Sequence, residues 1–407
     1  MVLRRRSDAT DNLRQMGNVT LTGKGRRWVL NGHPWIYRDD IASGEAEPGE
    51  LLHVEDPNGN NVGWGLFSAS SKIAVRLVTS QKEQPNRDFW AERIGLAVRT
   101  RQKMGLVNPE GAYRLIGGDA DRIPGWIVDV YGTTAVVQSS IQATDRMRDF
   151  LVELLQEALP YELETIIDRS DSSVRRFEDL DSRVETLKGE VTGPVIVRED
   201  ELEYEVDVLG GHKTGHYLDQ RENRKQAAKY VAGGRVLDAF CYDGLFGIRA
   251  ALAGAKEVVC LDQSAASGER LMRNAERNGV QDRVTFQKAN CMQELRNRLE
   301  ADEKYSMVVV DPPAFARNRR EIDGAERGYV EVNRRALGLV EEGGFLISAS
   351  CSYNVRQADF MKFLGSAARL AKRDVWIEEM RGAAPDHPAP INLPESNYLK
   401  CAFLRVL

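Results

Sequence analysis

The sequence predicts an α/β protein whose C-terminal half is a doubly wound, mostly parallel sheet. Three observations predict it. From Arg235 onward, short apolar and β-branched runs alternate with stretches whose apolar residues recur every three or four positions, as over 265–278. Two of those runs end in chemistry-bearing residues: Met307-Val308-Val309-Val310 leads into Asp311-Pro312-Pro313-Ala314-Phe315, and Phe345-Leu346-Ile347 leads towards Ala349-Ser350-Cys351-Ser352. The N-terminal part instead shows short alternating runs broken by Gly, Pro and Asn, the pattern of a small β-barrel.

Taken in order, residues 1–16 are polar and expected to fray. Within 17–85, Leu51-Leu52-His53-Val54, Val62-Gly63-Trp64-Gly65-Leu66-Phe67 and Ile73-Ala74-Val75-Arg76-Leu77-Val78 read as strands of the barrel, with a turn cluster at Asp56-Pro57-Asn58-Gly59-Asn60. Residues 89–104 carry helical periodicity. Tyr113-Arg114-Leu115-Ile116, the run 125–131, Thr134-Ala135-Val136-Val137-Gln138 and Thr165-Ile166-Ile167-Asp168 read as strands, with a helix near 145–159. These define a middle α+β domain over 86–195. The sheet of 196–407 takes strands at Val236-Leu237-Asp238, 258–262, Val284-Thr285-Phe286, 307–311 and 345–348, with two late ones near 375–378 and 398–406.

Bulk properties narrow the function classes. A chain of 407 residues, 42% apolar and 29% charged, is an ordinary soluble balance for two or three domains. No run of about 18 apolar residues exists, so no membrane span is expected. The basic start Met1-Val2-Leu3-Arg4-Arg5-Arg6 lacks an apolar stretch behind it, which argues against a secretory signal. The five cysteines are odd in number, lie in the C-terminal half and form no CxxC pair. That argues against a disulfide framework or a metal site and for a reducing cytoplasm. The net charge of −5 excludes a generally basic nucleic-acid binder, but it is uneven. Residues 1–40 carry eight Arg and Lys against four Asp, and 212–229 carry five basic against two acidic residues. Such patches suit RNA, and equally suit plain solvated surface.

The first strand of the sheet runs into the tight loop Phe240-Cys241-Tyr242-Asp243-Gly244. Its spacing is not GxGxxG, so a dinucleotide is poorly supported. Asp262 ends the next strand, 24 positions after Asp238, where an acid can accept ribose hydroxyls. Two acids without a phosphate-binding nest suit an adenosyl ligand such as S-adenosylmethionine, whose sulfonium gains from Asp238 and Asp243. A generic strand-end Asp and a cap Gly are the bland alternative. Asp311-Pro312-Pro313 makes a rigid strand-end carboxylate, able to meet the amine and ring nitrogen of a base. Amino-group methyltransferases place an aromatic directly after the second Pro; here Ala314 stands there and Phe315 one later.

For Cys351 the bland reading is a buried structural thiol. The functional reading is a nucleophile. Carbon 5 of a pyrimidine cannot take a methyl cation unaided, whereas a thiolate added to carbon 6 activates it. Between Gly210 and Arg221, glycines surround His212 and His216. A helical metal pair is improbable among them, and a loop lying over a cofactor fits better.

These residues resemble a family. GGHKTGHYLDQREN, DAFCYDGLFG, DPPAF, Arg327-Gly328-Tyr329 and SCS, in this order, resemble the bacterial class I S-adenosylmethionine-dependent cytosine-5 methyltransferases of large-subunit (23S) rRNA. Residues 25–37 are similar to the opening of that family's PUA RNA-binding domain, and 124–129 and 168–171 to its middle domain. The resemblance implies a PUA-like barrel, a middle domain and a Rossmann-like methyltransferase sheet. It implies that Gln220, Asp238, Phe240, Asp243, Gly244, Asp262, Asn290 and Asp311 line the cofactor pocket, with Asp311 also at the base and Cys351 as nucleophile. Two departures bear on cofactor affinity: Asp243 and Leu245 stand where the family usually has Thr and Gly, and Asn290 stands where it has an acid. The implied partner is RNA, with no membrane and no metal, and a homodimer is compatible with the sequence. Two other readings stay open: a methyltransferase of exocyclic or protein amines with a structural Cys351, and a non-catalytic RNA-binding ribosome-assembly factor.

Overall fold

The computed structural model describes residues 17–315 and 322–407; the segment 1–16, expected to fray, lies outside them. The described chain forms two compact units, one of 17–197, 206–217 and 386–396, the other of 198–205, 218–385 and 397–407.

The first unit opens with a six-stranded sheet. Its strands are β1 (Asn18–Leu21), β2 (Trp35–Tyr37), β3 (Ile41–Glu45), β4 (Leu51–Glu55), β5 (Asn61–Phe67) and β6 (Ile73–Thr79), in the order β2-β6-β5-β4-β1-β3. Helix α1 (Gly23–Leu30) starts where the Thr22 hydroxyl accepts the Gly25 amide hydrogen. Val19, Leu21, Ile36, Leu52, Val54 and Val75 make the core of this sheet. β1 to β3 span only three to five residues, too few for alternation to reveal them. A second sheet, β11-β10-β9-β8-β7, is formed by β7 (Ala112–Gly117), β8 (Trp126–Tyr131), β9 (Thr134–Ser139), β10 (Thr165–Ser170) and β11 (Arg183–Lys188). Its core takes in α2 (Arg87–Lys103) and also Leu51, Trp64, Leu66 and Val78 of the first sheet, so the two share one apolar interior. The single helix expected near 145–159 is two, α3 (Gln142–Arg146) and α4 (Arg148–Ala158), with Met147 ending one and starting the other.

A hairpin of β12 (Val195–Glu199) and β13 (Leu202–Val206) was not foreseen. Its tight turn uses Asp200 at φ 56°, and no glycine marks it in the sequence.

The second unit holds the doubly wound sheet. Its strands are β14 (Arg235–Ala239), β15 (Glu257–Asp262), β16 (Val284–Lys288), β17 (Tyr305–Val310), β18 (Val340–Ser350), β19 (Val375–Arg381) and β20 (Lys400–Val406). The order is β16-β15-β14-β17-β18-β20-β19, with the first five parallel and β20 antiparallel to both neighbours. The connecting helices are α5 (Arg221–Ala228), α6 (Leu245–Leu252), α7 (Ala265–Arg277), α8 (Cys291–Glu300), α9 (Ile322–Leu339) and α10 (Gln357–Ala371). The chain leaves β14 for β15 and β16 on one side, then returns to place β17 and β18 on the other. The strand order therefore reverses between β14 and β17, and crevices open at the carboxyl ends of strands flanking such a point.

Candidate active site

Four adjacent strands, β15, β14, β17 and β18, present their carboxyl ends side by side. Asp262 closes β15, Asp238 is the penultimate residue of β14, Asp311 follows β17 and Cys351 follows β18. The sheet thus brings together the three acids and the thiol that the sequence singled out.

The loop after β14 is bent hard. Phe240 (φ 63°) and Tyr242 (φ 49°) hold left-handed conformations without being glycine, and Gly244 (φ 72°) caps α6. A β-carbon on Gly244 would meet Leu271 at 2.3 Å, so no other residue fits. Asp262 fixes the loop: one carboxylate oxygen accepts the Tyr242 amide hydrogen (3.0 Å) and the other that of Ser264 (2.9 Å). Each oxygen keeps acceptor capacity for a further donor.

Asp238 is 1% exposed. One of its oxygens accepts the Gly247 amide hydrogen at 3.0 Å, while the other finds no donor among the described residues. Burial pushes this carboxyl up to about 7, and the nearby charges of Asp311 and Asp262 push in the same direction. Three carboxylates at neighbouring strand ends, one of them short of a partner, fit a ligand that brings a positive charge and hydroxyl donors. S-adenosylmethionine has both.

The other expected pocket residues divide. Gln220 is buried and donates from its amide nitrogen to Asp311 Oδ2 (3.0 Å), while its amide oxygen accepts from Asn223 (2.6 Å); it orients Asp311. Asp243 is also buried and accepts from Arg270 Nε at 2.7 Å. That guanidinium compensates part of the charge that the sequence offers to a sulfonium. Asn290 is exposed and spends its side-chain oxygen on capping α8 through the Gln293 amide. Phe240 is partly buried against the core of the sheet.

The five cysteines differ sharply. Cys241, Cys260, Cys291 and Cys401 are buried, and Cys351 alone is partly exposed. Burial pushes Cys291 up to about 12 and raises Cys241 and Cys401 well above an ordinary thiol. Tyr329, which the sequence marked only within a motif, organises the turn at Cys351. The Ser350 hydroxyl donates to the Tyr329 hydroxyl at 2.8 Å, and the Ser352 hydroxyl lies 2.8 Å from the same oxygen. Both serines beside the thiol are thereby tied to one buried phenol on α9. Phe315 meets the Tyr329 ring edge-on at 4.8 Å and covers Gly328. Sequence reasoning missed Lys400, a buried lysine opposite Ser350 in the β18–β20 register.

The loop around His212 and His216 is held in the first unit. Thr214 donates to Asp129 (2.6 Å), Arg169 donates to the Val208 and Gly211 carbonyls, and the His216 amide reaches the Tyr131 hydroxyl. These bonds fasten it to β8 and β10, an anchor the sequence did not reveal. Among the described residues no group of three His, Cys, Asp or Glu is placed to hold a metal ion, and no helix is long and apolar enough to cross a membrane.

Residues 19–80 match the PUA-like domain family, and residues 169–392 match the S-adenosylmethionine-dependent methyltransferase family. Proteins named ribosomal RNA large subunit methyltransferase I are similar along nearly their whole length. That of Aeromonas hydrophila is 37% identical over 391 residues, covering 94% of this chain and 98% of the relative. That of Erwinia tasmaniensis is 35% identical over 394 residues, covering 95% and 99%. Among solved structures, SMU.776, described as a methyltransferase and complexed with SAH, superposes with a TM-score of 0.83 at 20% identity over 96% of this chain and all of that one, a likeness of fold. The S-adenosylmethionine-dependent methyltransferase domain covers more than half the chain, a PUA-like domain precedes it, and the relatives match end to end: the chain belongs to the family of the ribosomal RNA large subunit methyltransferases I.

Proposed function

We propose that this protein is an S-adenosylmethionine-dependent methyltransferase of large-subunit ribosomal RNA that methylates carbon 5 of a cytosine through Cys351. The substrate class follows from the names of its relatives and from the PUA-like domain. The carbon 5 chemistry rests on one observation: Cys351, the cysteine with solvent access, stands at the end of β18 beside the strand that delivers Asp311.

The cofactor supplies an electrophilic methyl group. The Cys351 thiolate forms a carbon–sulfur bond at carbon 6 of the base, and the displaced electron pair makes carbon 5 nucleophilic enough to take the methyl. A base then removes the carbon 5 proton, and the carbon–sulfur bond breaks to return the thiolate. Asp311, oriented by Gln220, accepts from the amine edge of the cytosine. Tyr329 keeps the Ser350–Ser352 turn in place so that the sulfur stays aimed at the base. The target nucleotide must be flipped out or single-stranded, because carbon 6 is shielded within a stack. Phe315 supports this reading against exocyclic-amine chemistry: its ring packs on Tyr329 instead of standing directly after Pro313 as a base-stacking platform.

The test is transfer of a labelled methyl group to naked 23S rRNA and to isolated large subunits, followed by nucleoside chromatography and mass analysis. The label is expected in 5-methylcytidine, and Cys351→Ala should abolish transfer. Label in an amine-methylated nucleoside, or full activity of the variant, would overturn the reading.

A further inference from the structure

Lys400 opens β20, the strand inserted antiparallel between β18 and β19. It pairs with Ser350, the last residue of β18 and the neighbour of Cys351. The residues that follow it, Cys401, Ala402 and Phe403, are buried and apolar, and Lys400 itself is 4% exposed. A lysine in such a place normally lies against a carboxylate. Here no carboxylate is in ion-pair range among the described residues. Nζ donates to two backbone carbonyls, of Ser352 and of Tyr398, each at 2.7 Å. An ammonium has three N–H donors, so one is left without a described acceptor. Burial pulls the group down to about 8, and the attraction of Cys351 and Asp359 opposes that fall. The cation is therefore fastened to the carbonyl just after Cys351, close enough to couple to the sulfur, and short of one counter-charge.

We infer that Lys400 is a positioning residue for Cys351: its ammonium pins the Ser352 carbonyl and balances the charge of the thiolate. The inference rests on the reading of Cys351 as nucleophile, and it names the group that favours the ionised sulfur. Three further groups bear on this corner without favouring that charge. Asp311 lies after β17, Asp359 stands on α10, and Tyr329 on α9 is held protonated by burial, which outweighs the downward pull of the two serine hydroxyls around it. Tyr353 lies in the same loop as Cys351 and is exposed. Lys400 is the cation of this set.

The test measures the sulfur directly and needs neither RNA nor cofactor. Iodoacetamide alkylation of Cys351 is followed by peptide mass mapping from pH 6 to 10, in the full-length protein and in Lys400→Gln, Lys400→Met and Lys400→Arg. The wild-type midpoint is expected below the ordinary thiol value of about 8.5. In the Gln and Met variants it should rise by about one unit, which cuts the alkylation rate at pH 7 roughly tenfold. The Arg variant, which keeps the charge, should restore most of the lost rate. A purely structural lysine would lower the melting temperature and leave the midpoint where it was, and that result would overturn the inference. So would a wild-type midpoint at or above 8.5, which needs no variant to fold. A shifted midpoint together with methylation of an exocyclic amine would retire the carbon 5 reading and leave the Lys400–Cys351 pair standing.

Discussion

At the scale of single residues, the site is a contest between burial and charge. Asp238 shows it most clearly. Its carboxyl is raised to about 7 by burial, with Asp311 and Asp262 adding repulsion, so in the cofactor-free protein it holds its proton across the acidic range. A sulfonium favours the ionised carboxylate, so binding below pH 7 must first drive off that proton. The sign follows: affinity for S-adenosylmethionine rises as pH climbs through 7 and levels off above it. Titration calorimetry is expected to show about a tenfold loss between pH 8 and pH 6 for S-adenosylmethionine, and a smaller loss for S-adenosylhomocysteine, which lacks the charge. Equal pH dependence for the two ligands would count against Asp238 as the sulfonium's partner. Much of this site could be read from the chain, because acids and a thiol directly after apolar runs announce strand ends. Lys400 could not. Tyr398-Leu399-Lys400 reads as the solvated start of a strand, and only the pairing of β20 with β18, 50 residues earlier in sequence, buries its ammonium beside Cys351. The ion pair of Asp243 was hidden for the same reason: its partner Arg270 lies 27 residues away, on α7.

At the scale of elements, the β12–β13 hairpin is secured by a buried charge cluster. Glu199 is 4% exposed, and its carboxylate accepts from Arg224 on α5 (2.8 Å) and Arg249 on α6 (2.9 Å). Burial alone would raise its pKa, but Arg224, Arg249 and Arg221 outweigh that and hold it below 4.5. Its stabilisation is therefore present above pH 4.5 and lost as pH falls through the lowered value. Glu199→Gln removes the buried anion between Arg224 and Arg249, leaving Arg249 its partly exposed partners Glu201 and Asp200, and costs on the order of 3 kcal/mol. Urea unfolding at pH 7 should show that loss, and the gap between variant and wild type should narrow towards pH 3. This hairpin escaped the sequence reading because neither strand alternates cleanly and the turn Asp200-Glu201 carries no glycine or asparagine. The seven-stranded sheet was legible because its central strands β14, β15 and β17 are largely apolar runs, the mark of burial on both faces.

At the scale of the whole molecule, the barrel expected over 17–85 and the middle domain expected over 86–195 share an apolar interior within one unit. A buried pair joins them as well: Arg76 of β6 meets Glu178 at 3.1 Å, and Glu178 also accepts from the Ser68 hydroxyl at 2.6 Å. Arg76→Ala strips the cation from a buried carboxylate and should destabilise this unit by about 3–5 kcal/mol. Differential scanning calorimetry would show it as a downward shift of one transition. An unchanged thermogram would mean that this pair does not help to hold the two parts together. The sharing was hidden from the sequence because Trp64, Leu66 and Val78 lie on short strands whose inward partners come from α2, β7 and α4, far along the chain.

The central claim is that Cys351 attacks carbon 6 of an RNA cytosine on the way to methylating carbon 5. It is tested most directly by incubating the protein with S-adenosylmethionine and 23S rRNA transcribed with 5-fluorocytidine. Fluorine cannot leave as a cation, so elimination stalls after methyl transfer and the enzyme stays bonded to the RNA. The predicted result is a denaturation-resistant protein–RNA adduct, dependent on cofactor, mapped by mass spectrometry to the peptide holding Cys351 and absent from Cys351→Ala. An adduct at another residue, or methylation of the RNA with no adduct at all, would contradict the claim.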